Sequence, residues 1–357
     1  MSTAILDKTR FEELQPAYAL WKRYQPGKAP YAFHARSPAA ARRWQRAVRR
    51  ALAAGIGFQQ TPRVASAPRR IERVDCGDYV REKVVLRTAP HTAMPVYLLF
   101  PNKAPRPLPV VIAFHGHGYG VKDIVGLWED GAERRTPDGY HKDFAVALCR
   151  RGFAVVAPEI SCFGERQTDF SHLNTTIGQG VPGTCVHTAM LAFHLGGSVV
   201  GLRVRDGKRL VDYLVARRDL DAARLGAMGI SGGGMHTFFS TCLDPRIKAC
   251  VISGYFATFK DSILAMHHCP CNFVPGLHQF GEMGDLAGLI APRPLLVEAG
   301  TYDCIFPLRA VRNGVRRARA AYRVFGCPER VELDVFEGRH QISGRRAYDF
   351  LWRHLEK

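Results

Sequence analysis

Six short apolar runs, separated by segments with helical spacing, narrow most sharply what this chain can fold into. The runs lie at 109–114 (PVVIAF), 153–157 (FAVVA), 224–230 (RLGAMGI), 247–253 (IKACVIS), 294–299 (PLLVEA) and 330–336 (RVELDVF). Near-continuous apolar strands suit a sheet buried on both faces. Helical patterns fall between them at 142–151, 199–217, after Ser231, at 282–290 and at 308–324, and a last one closes the chain at 344–355. Such alternation predicts an α/β fold with a mostly parallel central sheet and helices on both faces. The earlier segments 79–87 and 94–100 alternate like strands with no helix between them, so the sheet is expected to begin antiparallel.

Residues 1–70 read as an N-terminal helical extension, and 71–357 as the main domain. Within the extension, Ser37 can cap a helix with Pro38 at its first position. Trp44, Val48 and Leu52 then share one face, and Gly55 or Gly57 ends it. Two insertions, at about 158–197 and 254–281, follow strands and so emerge at the C-terminal edge of the sheet, where open α/β sheets bind ligands. Loops of that length in a compact domain usually serve function.

Composition excludes more than it assigns. The 357 residues are 46% hydrophobic and 23% charged, with no apolar run long enough for a membrane-spanning helix. The net charge of +18 is spread along the chain rather than gathered in a nucleic-acid-binding module. The expectation is a protein with neither a nucleic-acid nor a membrane partner; nothing fixes its oligomeric state. The first residues lack a basic-then-apolar leader pattern, and ten scattered cysteines suit reduced thiols, so the expected location is cytoplasmic.

The segment Gly229-Ile230-Ser231-Gly232-Gly233 matches G-x-S-x-G and lies between an apolar strand and a helix-like run. A serine on such a turn projects its hydroxyl above the sheet. A serine hydroxyl is a poor nucleophile until a base takes its proton, and in this arrangement an acid and then a histidine follow in chain order. Asp303 follows the run PLLVEA, and His340 follows VELDVF, so both sit past strand ends at the same edge as Ser231. Glu298, inside its strand, and Glu337, near the histidine, are the rival acids. The loop Phe114-His115-Gly116-His117-Gly118 follows PVVIA. Its His117 and the residue after the nucleophile, Gly232, are the expected backbone donors of an oxyanion hole. His115 is expected to pack beneath that loop.

The stretches FHGHG, GISGGG, GTYDCIFP and FEGRH, with VVAPEISCFGER and GLRVRDGKRLVDYL, resemble the α/β-hydrolase superfamily. Within it they are similar to bacterial serine esterases of the dienelactone-hydrolase and acetyl-xylan-esterase-like group. The resemblance covers roughly residues 70–357. Dienelactone hydrolases proper use a cysteine nucleophile, and this chain has Ser231. The resemblance implies an α/β-hydrolase fold and cofactor-independent hydrolysis of a small-molecule carboxylic ester through an acyl-enzyme, and the two long aromatic-rich insertions, walling the pocket, lead to the expectation that short acyl groups are favoured. A serine peptidase or amidase on the same fold, or a non-catalytic hydrolase-like binding protein, are the alternatives.

Phe163, Tyr255, Phe256 and Phe273, on or beside the insertions, are the candidate substrate-binding residues. His267-His268-Cys269-Pro270-Cys271 lacks the usual C-x₂₋₄-C spacing and a second ligand pair nearby in sequence, so it reads as pocket wall or packing, with no metal expected. No phosphate loop or dinucleotide fingerprint is present, so no cofactor is expected.

Overall fold

The computed structural model describes residues 14–171 and 183–356. Its strands are β1 (Arg69–Asp75), β2 (Tyr79–Ala89), β3 (Thr92–Pro101), β4 (Leu108–Phe114), β5 (Ala154–Pro158), β6 (Leu220–Ile230), β7 (Ala249–Ser253), β8 (Leu295–Gly300) and β9 (Val331–Phe336). They form one sheet in the order β1-β2-β3-β5-β4-β6-β7-β8-β9. The first three strands and the β3–β5 pair are antiparallel, and all pairs from β5 to β9 are parallel. This is the α/β-hydrolase fold. Strand β1 has no counterpart among the expected strands, because its residues, RRIERVD, are almost all exposed and carry little apolar signal.

The α-helices are α1 (Pro16–Arg23), α2 (Pro38–Ile56), α3 (Phe144–Arg150), α4 (Thr184–His194), α5 (Val199–Val215), α6 (Gly232–Leu243), α7 (Met283–Leu286), α8 (Leu308–Val324) and α9 (Ala347–Leu355). The alternation of β4 shows why its run is wholly apolar. Val110, Ile112 and Phe114 face a core with Leu210, Val211 and Leu214 of α5, while Val111 and Ala113 face the opposite core with α3 and α9. Both faces are covered, so no position on the strand tolerates a polar side chain.

Helix α2 begins as its sequence predicts: the Ser37 hydroxyl accepts from the Ala40 N–H at 3.3 Å, and Gly57 ends it at φ +78°. Val48, Leu52 and Ile56 are buried in the main core beside α6 and α8 residues. Each contributes about 1.5–3 kcal/mol by leaving water. Polar residues lock the helix further: the Gln45 amide donates to the Gly288 and Ala291 carbonyls, and Arg49 to those of Cys242 and Leu289. Part of the basic charge of this segment therefore serves packing. The first insertion contains α4, and its residues 172–182 lie outside the described residues.

Strand β4 is the topological switch point. The chain leaves it for β5 on one side and later reaches β6 on the other, which opens a crevice at the C-terminal ends of β4 and β6. Phe114 is paired with Gly229 across that switch, so the loop after β4 and the turn after β6 leave the sheet at one level. Gly300 is likewise paired with Phe336 in β8 and β9.

Candidate active site

Ser231 stands between β6 and α6 with φ +55° and ψ −120°, a conformation that L-residues rarely adopt. Its N–H donates to the Ser253 carbonyl at the end of β7, at 3.0 Å. The turn closes only because its neighbours lack side chains. A Cβ on Gly229 would lie 2.4 Å from the Gly233 carbonyl oxygen, and one on Gly233 would lie 2.0 Å from that of Phe114. Strain of this kind costs on the order of 1–3 kcal/mol and persists only where surrounding packing enforces it.

Asp303 and His340 occupy the turns after β8 and β9. The two turns are zipped together by the Thr301 N–H on the Phe336 carbonyl and the Tyr302 N–H on that of Gly338, both at 2.9 Å. Oδ1 of Asp303 accepts from the N–H groups of Ile305 and Phe306 at 2.9 and 3.0 Å, which leaves Oδ2 to meet His340 Nδ1 at 2.8 Å. The carboxylate is buried, and the imidazole is thereby aimed. Its Nε2 is buried without a hydrogen-bond partner among the described residues.

The rival acids are elsewhere. Glu337 is exposed. Glu298 is buried with its carboxylate on the Ser253 hydroxyl and the Gly344 N–H. Burial raises Glu298 to about 7, against the pull of those hydrogen bonds.

The loop after β4 is held from below. His115 is fully buried, with Nδ1 at 2.8 Å from the Gly116 carbonyl and Nε2 at 3.1 Å from the Ile160 N–H. Gly116 N–H donates to Nε2 of His141 at 2.8 Å. That bond requires an unprotonated Nε2, so the proton of neutral His141 sits on Nδ1, 2.8 Å from Asp123. Burial lowers the His141 pKa, consistent with the neutral form. Arg134 closes the network by bridging Asp123 and Asp143. Tyr140 donates its hydroxyl to the His117 carbonyl at 2.5 Å, and its ring stacks near His340 at 5.6 Å. Gly232 is the first residue of α6, so its N–H has no acceptor within the helix.

Ser231, His340, His117 and Tyr140 line one cavity of about 310 Å³, with Tyr255, Met266, His267, His268, Cys269, Asn272, Ile305 and Phe306. Of the four aromatic residues expected to bind substrate, only Tyr255 lines it. Phe256, the next residue, is turned away into the core, where it packs edge-on against Phe238. Phe273 faces a separate cleft with Tyr24 and Phe259. Phe163 is buried under the loop, its ring edge-on to both His115 and His117. Tyr140 and Phe306 were missed in the sequence, where nothing distinguishes a lining aromatic residue from a packed one, while His268 belongs to the cluster expected as pocket wall or packing. The cluster His267–Cys271 forms one wall of the cavity, and the second pair that its sequence lacks nearby is supplied by the fold: Cys185 and His117 lie beside Cys269 and Cys271.

A model of the abhydrolase family matches residues 19–353. The chain belongs to that family. The match takes in α1 and α2 as well as the sheet. The Bacillus subtilis (strain 168) protein YtaP, named as a hydrolase, is 28% identical over 251 residues, which cover 68% of this chain and 76% of YtaP. Among solved structures, a Bacteroides fragilis protein named as an acetyl xylan esterase is similar with a TM-score of 0.74 at 19% identity, covering 92% of this chain and 83% of its own. A glucuronoyl esterase from Solibacter usitatus is similar with a TM-score of 0.63 at 15% identity, covering 92% and 99%. At these identities the structures speak for the fold.

Proposed function

We propose that this abhydrolase is a serine esterase that cleaves short-chain carboxylic esters of small molecules. The observation that carries the proposal is the imidazole of His340, held by Asp303 at 2.8 Å on one nitrogen and without a hydrogen-bond partner among the described residues on the other, in a cavity shared with Ser231. Ser231 attacks the ester carbonyl while His340 Nε2 takes its proton. The tetrahedral oxyanion lies against the N–H groups of His117 and Gly232, where charge that develops only in the transition state is stabilised. His340 then protonates the leaving alcohol, activates water, and frees the acid from the acyl-enzyme, while Asp303 stabilises the imidazolium.

The names of the similar structures favour esters over amides. The cavity volume and the wall built from Met266, His267, His268 and Phe306 favour a small acyl group. The experiment is a panel of p-nitrophenyl esters, acetylated sugars, methyl uronates and aminoacyl anilides assayed with the purified chain. The reading expects turnover of one or more ester classes and none of the anilides. Anilide cleavage without ester cleavage would replace it with an amidase.

A further inference from the structure

We infer that Cys185, Cys269, Cys271 and His117 form a zinc site that fastens both insertions to the loop after β4. The four residues come from three distant stretches of chain. His117 follows β4, Cys185 is in the first turn of α4, and Cys269 and Cys271 flank Pro270 in a 3₁₀ turn. One ligand atom from each lies within 4.8 Å of all the others. His117 Nε2 and Cys271 Sγ are 3.6 Å apart. A tetrahedron with the usual Zn–S and Zn–N bond lengths has an S···N edge of about 3.6 Å and an S···S edge of about 3.8 Å, so closing the group on an ion requires small movements only. Three thiolates and one imidazole are soft to borderline donors, which select zinc over magnesium or calcium.

A second observation points to the same place. Arg203 of α5 is fully buried over the Phe163 ring at 5.5 Å, yet among the described residues only its Nη2 makes a hydrogen bond, to the Ser161 carbonyl at 3.2 Å. Its Nε and Nη1 are buried with no hydrogen bond among the described residues. No carboxylate among the described residues pairs with it; burial works against its cationic form, and Cys271, Cys162, Cys185 and Cys269 are the nearby groups that would favour it as thiolates. An isolated guanidinium in the interior is costly. Zinc with three thiolates carries one net negative charge, and Arg203 beside it makes the buried group neutral. Without the ion, neutral thiols leave that cation with the Phe163 ring face but no anionic partner among the described residues. Cys162, buried behind Cys185, completes the sulfur-rich wall.

The site reaches the candidate active site through His117. A Cβ built on Gly232 would lie 3.2 Å from His117 Nδ1, so the ring lies between the sulfurs and the nucleophile turn. An ion on Nε2 would fix the ring whose backbone N–H faces the proposed oxyanion. The role is positional, since a site closed by four protein ligands leaves no open coordination position for substrate.

Metal content tests the inference without substrate, so it can fail while the esterase reading stands. The full chain is purified without chelators, and its zinc is measured by inductively coupled plasma mass spectrometry. The expected content is about one ion per chain. It should be lost in Cys185→Ser and Cys269→Ser and kept in Cys304→Ser, whose thiol is exposed and outside the group. Arg203→Met should weaken zinc affinity by about 10–100-fold. Should a cysteine variant fail to fold, cobalt titrated into reduced, metal-stripped wild-type chain gives the second reading. Tetrahedral thiolate coordination would produce a sulfur-to-cobalt charge-transfer band and intense visible bands. Background zinc with no such bands in the wild type overturns the site, as does a stable disulfide between Cys185 and Cys269 or Cys271 in the isolated protein.

Discussion

Asp303 lies three residues past Gly300 and His340 four past Phe336, on short turns stitched to each other by backbone hydrogen bonds. Across the cavity, His117 also lies close to its strand, but its support comes from far away. His141, Asp123 and Arg134 brace the loop from one side, Phe163 from beneath, and the Cys185–Cys271 group from the other. The half that holds the proposed acid and base is fixed because main chain closes on main chain. The half that holds the proposed oxyanion donor His117 is fixed because buried charged and sulfur-bearing side chains, many of them brought by insertions, pack together around its loop. The first half should tolerate side-chain change outside Asp303 and His340. The second depends on each member of a network.

Activity should separate the two regions most strongly. Ser231→Ala should lower kcat by a factor on the order of 10⁴–10⁶ with the fold intact, since the residues of such a triad act as a unit. Asp303→Asn should cost about 10⁴ by favouring the wrong imidazole tautomer. Steady-state rates with a p-nitrophenyl ester, beside circular dichroism, check both. A variant retaining most of its rate removes that residue from the mechanism.

Stability separates the two halves next. Asp123→Asn leaves the buried Arg134 without part of its counter-charge and should cost about 3–5 kcal/mol. Asp303→Asn keeps an Oδ1 that accepts from Ile305 and Phe306, so its denaturation midpoint should stay close to wild type. Urea unfolding of both variants decides; equal losses would erase the distinction between main-chain and side-chain support.

A pH effect of intermediate size belongs to the oxyanion half. His236 of α6 is fully buried, its ring against Phe114 at 3.8 Å, and burial together with the nearby Arg203 cation pushes its pKa down to about 3. In the unfolded chain a histidine titrates near 6.5. Between those values the unfolded chain takes up a proton that the folded chain refuses, so stability falls as pH drops from about 6.5 toward 3 and is fully present above that window. His236→Phe should flatten this acid slope in urea titrations at several pH values. An unchanged slope would assign the acid sensitivity to other groups.

The smallest effect concerns acyl length. Each buried methylene is worth about 0.8 kcal/mol, so a roomy pocket would gain several-fold in kcat/KM per carbon. The cavity walled by Met266, His268 and Phe306 should instead give an optimum at acetyl to butyryl across a p-nitrophenyl series. An optimum at octanoyl or longer would mean that the insertions open away from Ser231.

The same contrast explains what the sequence reveals. The parallel sheet was legible because β4 to β9 are apolar runs joined by helical spacing, and Ser231, Asp303 and His340 each follow such a run within a few residues. Strand β1 was not, since an exposed edge strand needs no apolar pattern. Nor was the His141–Asp123–Arg134 brace, whose members sit in a loop with no periodicity. Phe256 misled because adjacent residues point opposite ways: Tyr255 enters the cavity and Phe256 the core. Cys269 and Cys271 find Cys185 only after the insertions fold back across the sheet edge, a juxtaposition that no local spacing encodes.

Covalent labelling tests Ser231 as the proposed nucleophile. The purified chain is treated with a fluorophosphonate, digested, and mapped by mass spectrometry, with Ser231→Ala and heat-denatured wild type as controls. One adduct per chain is expected, on the peptide containing Gly229-Ile230-Ser231-Gly232, formed only in the folded wild type. Labelling at another serine, or equal labelling of Ser231→Ala, would contradict it.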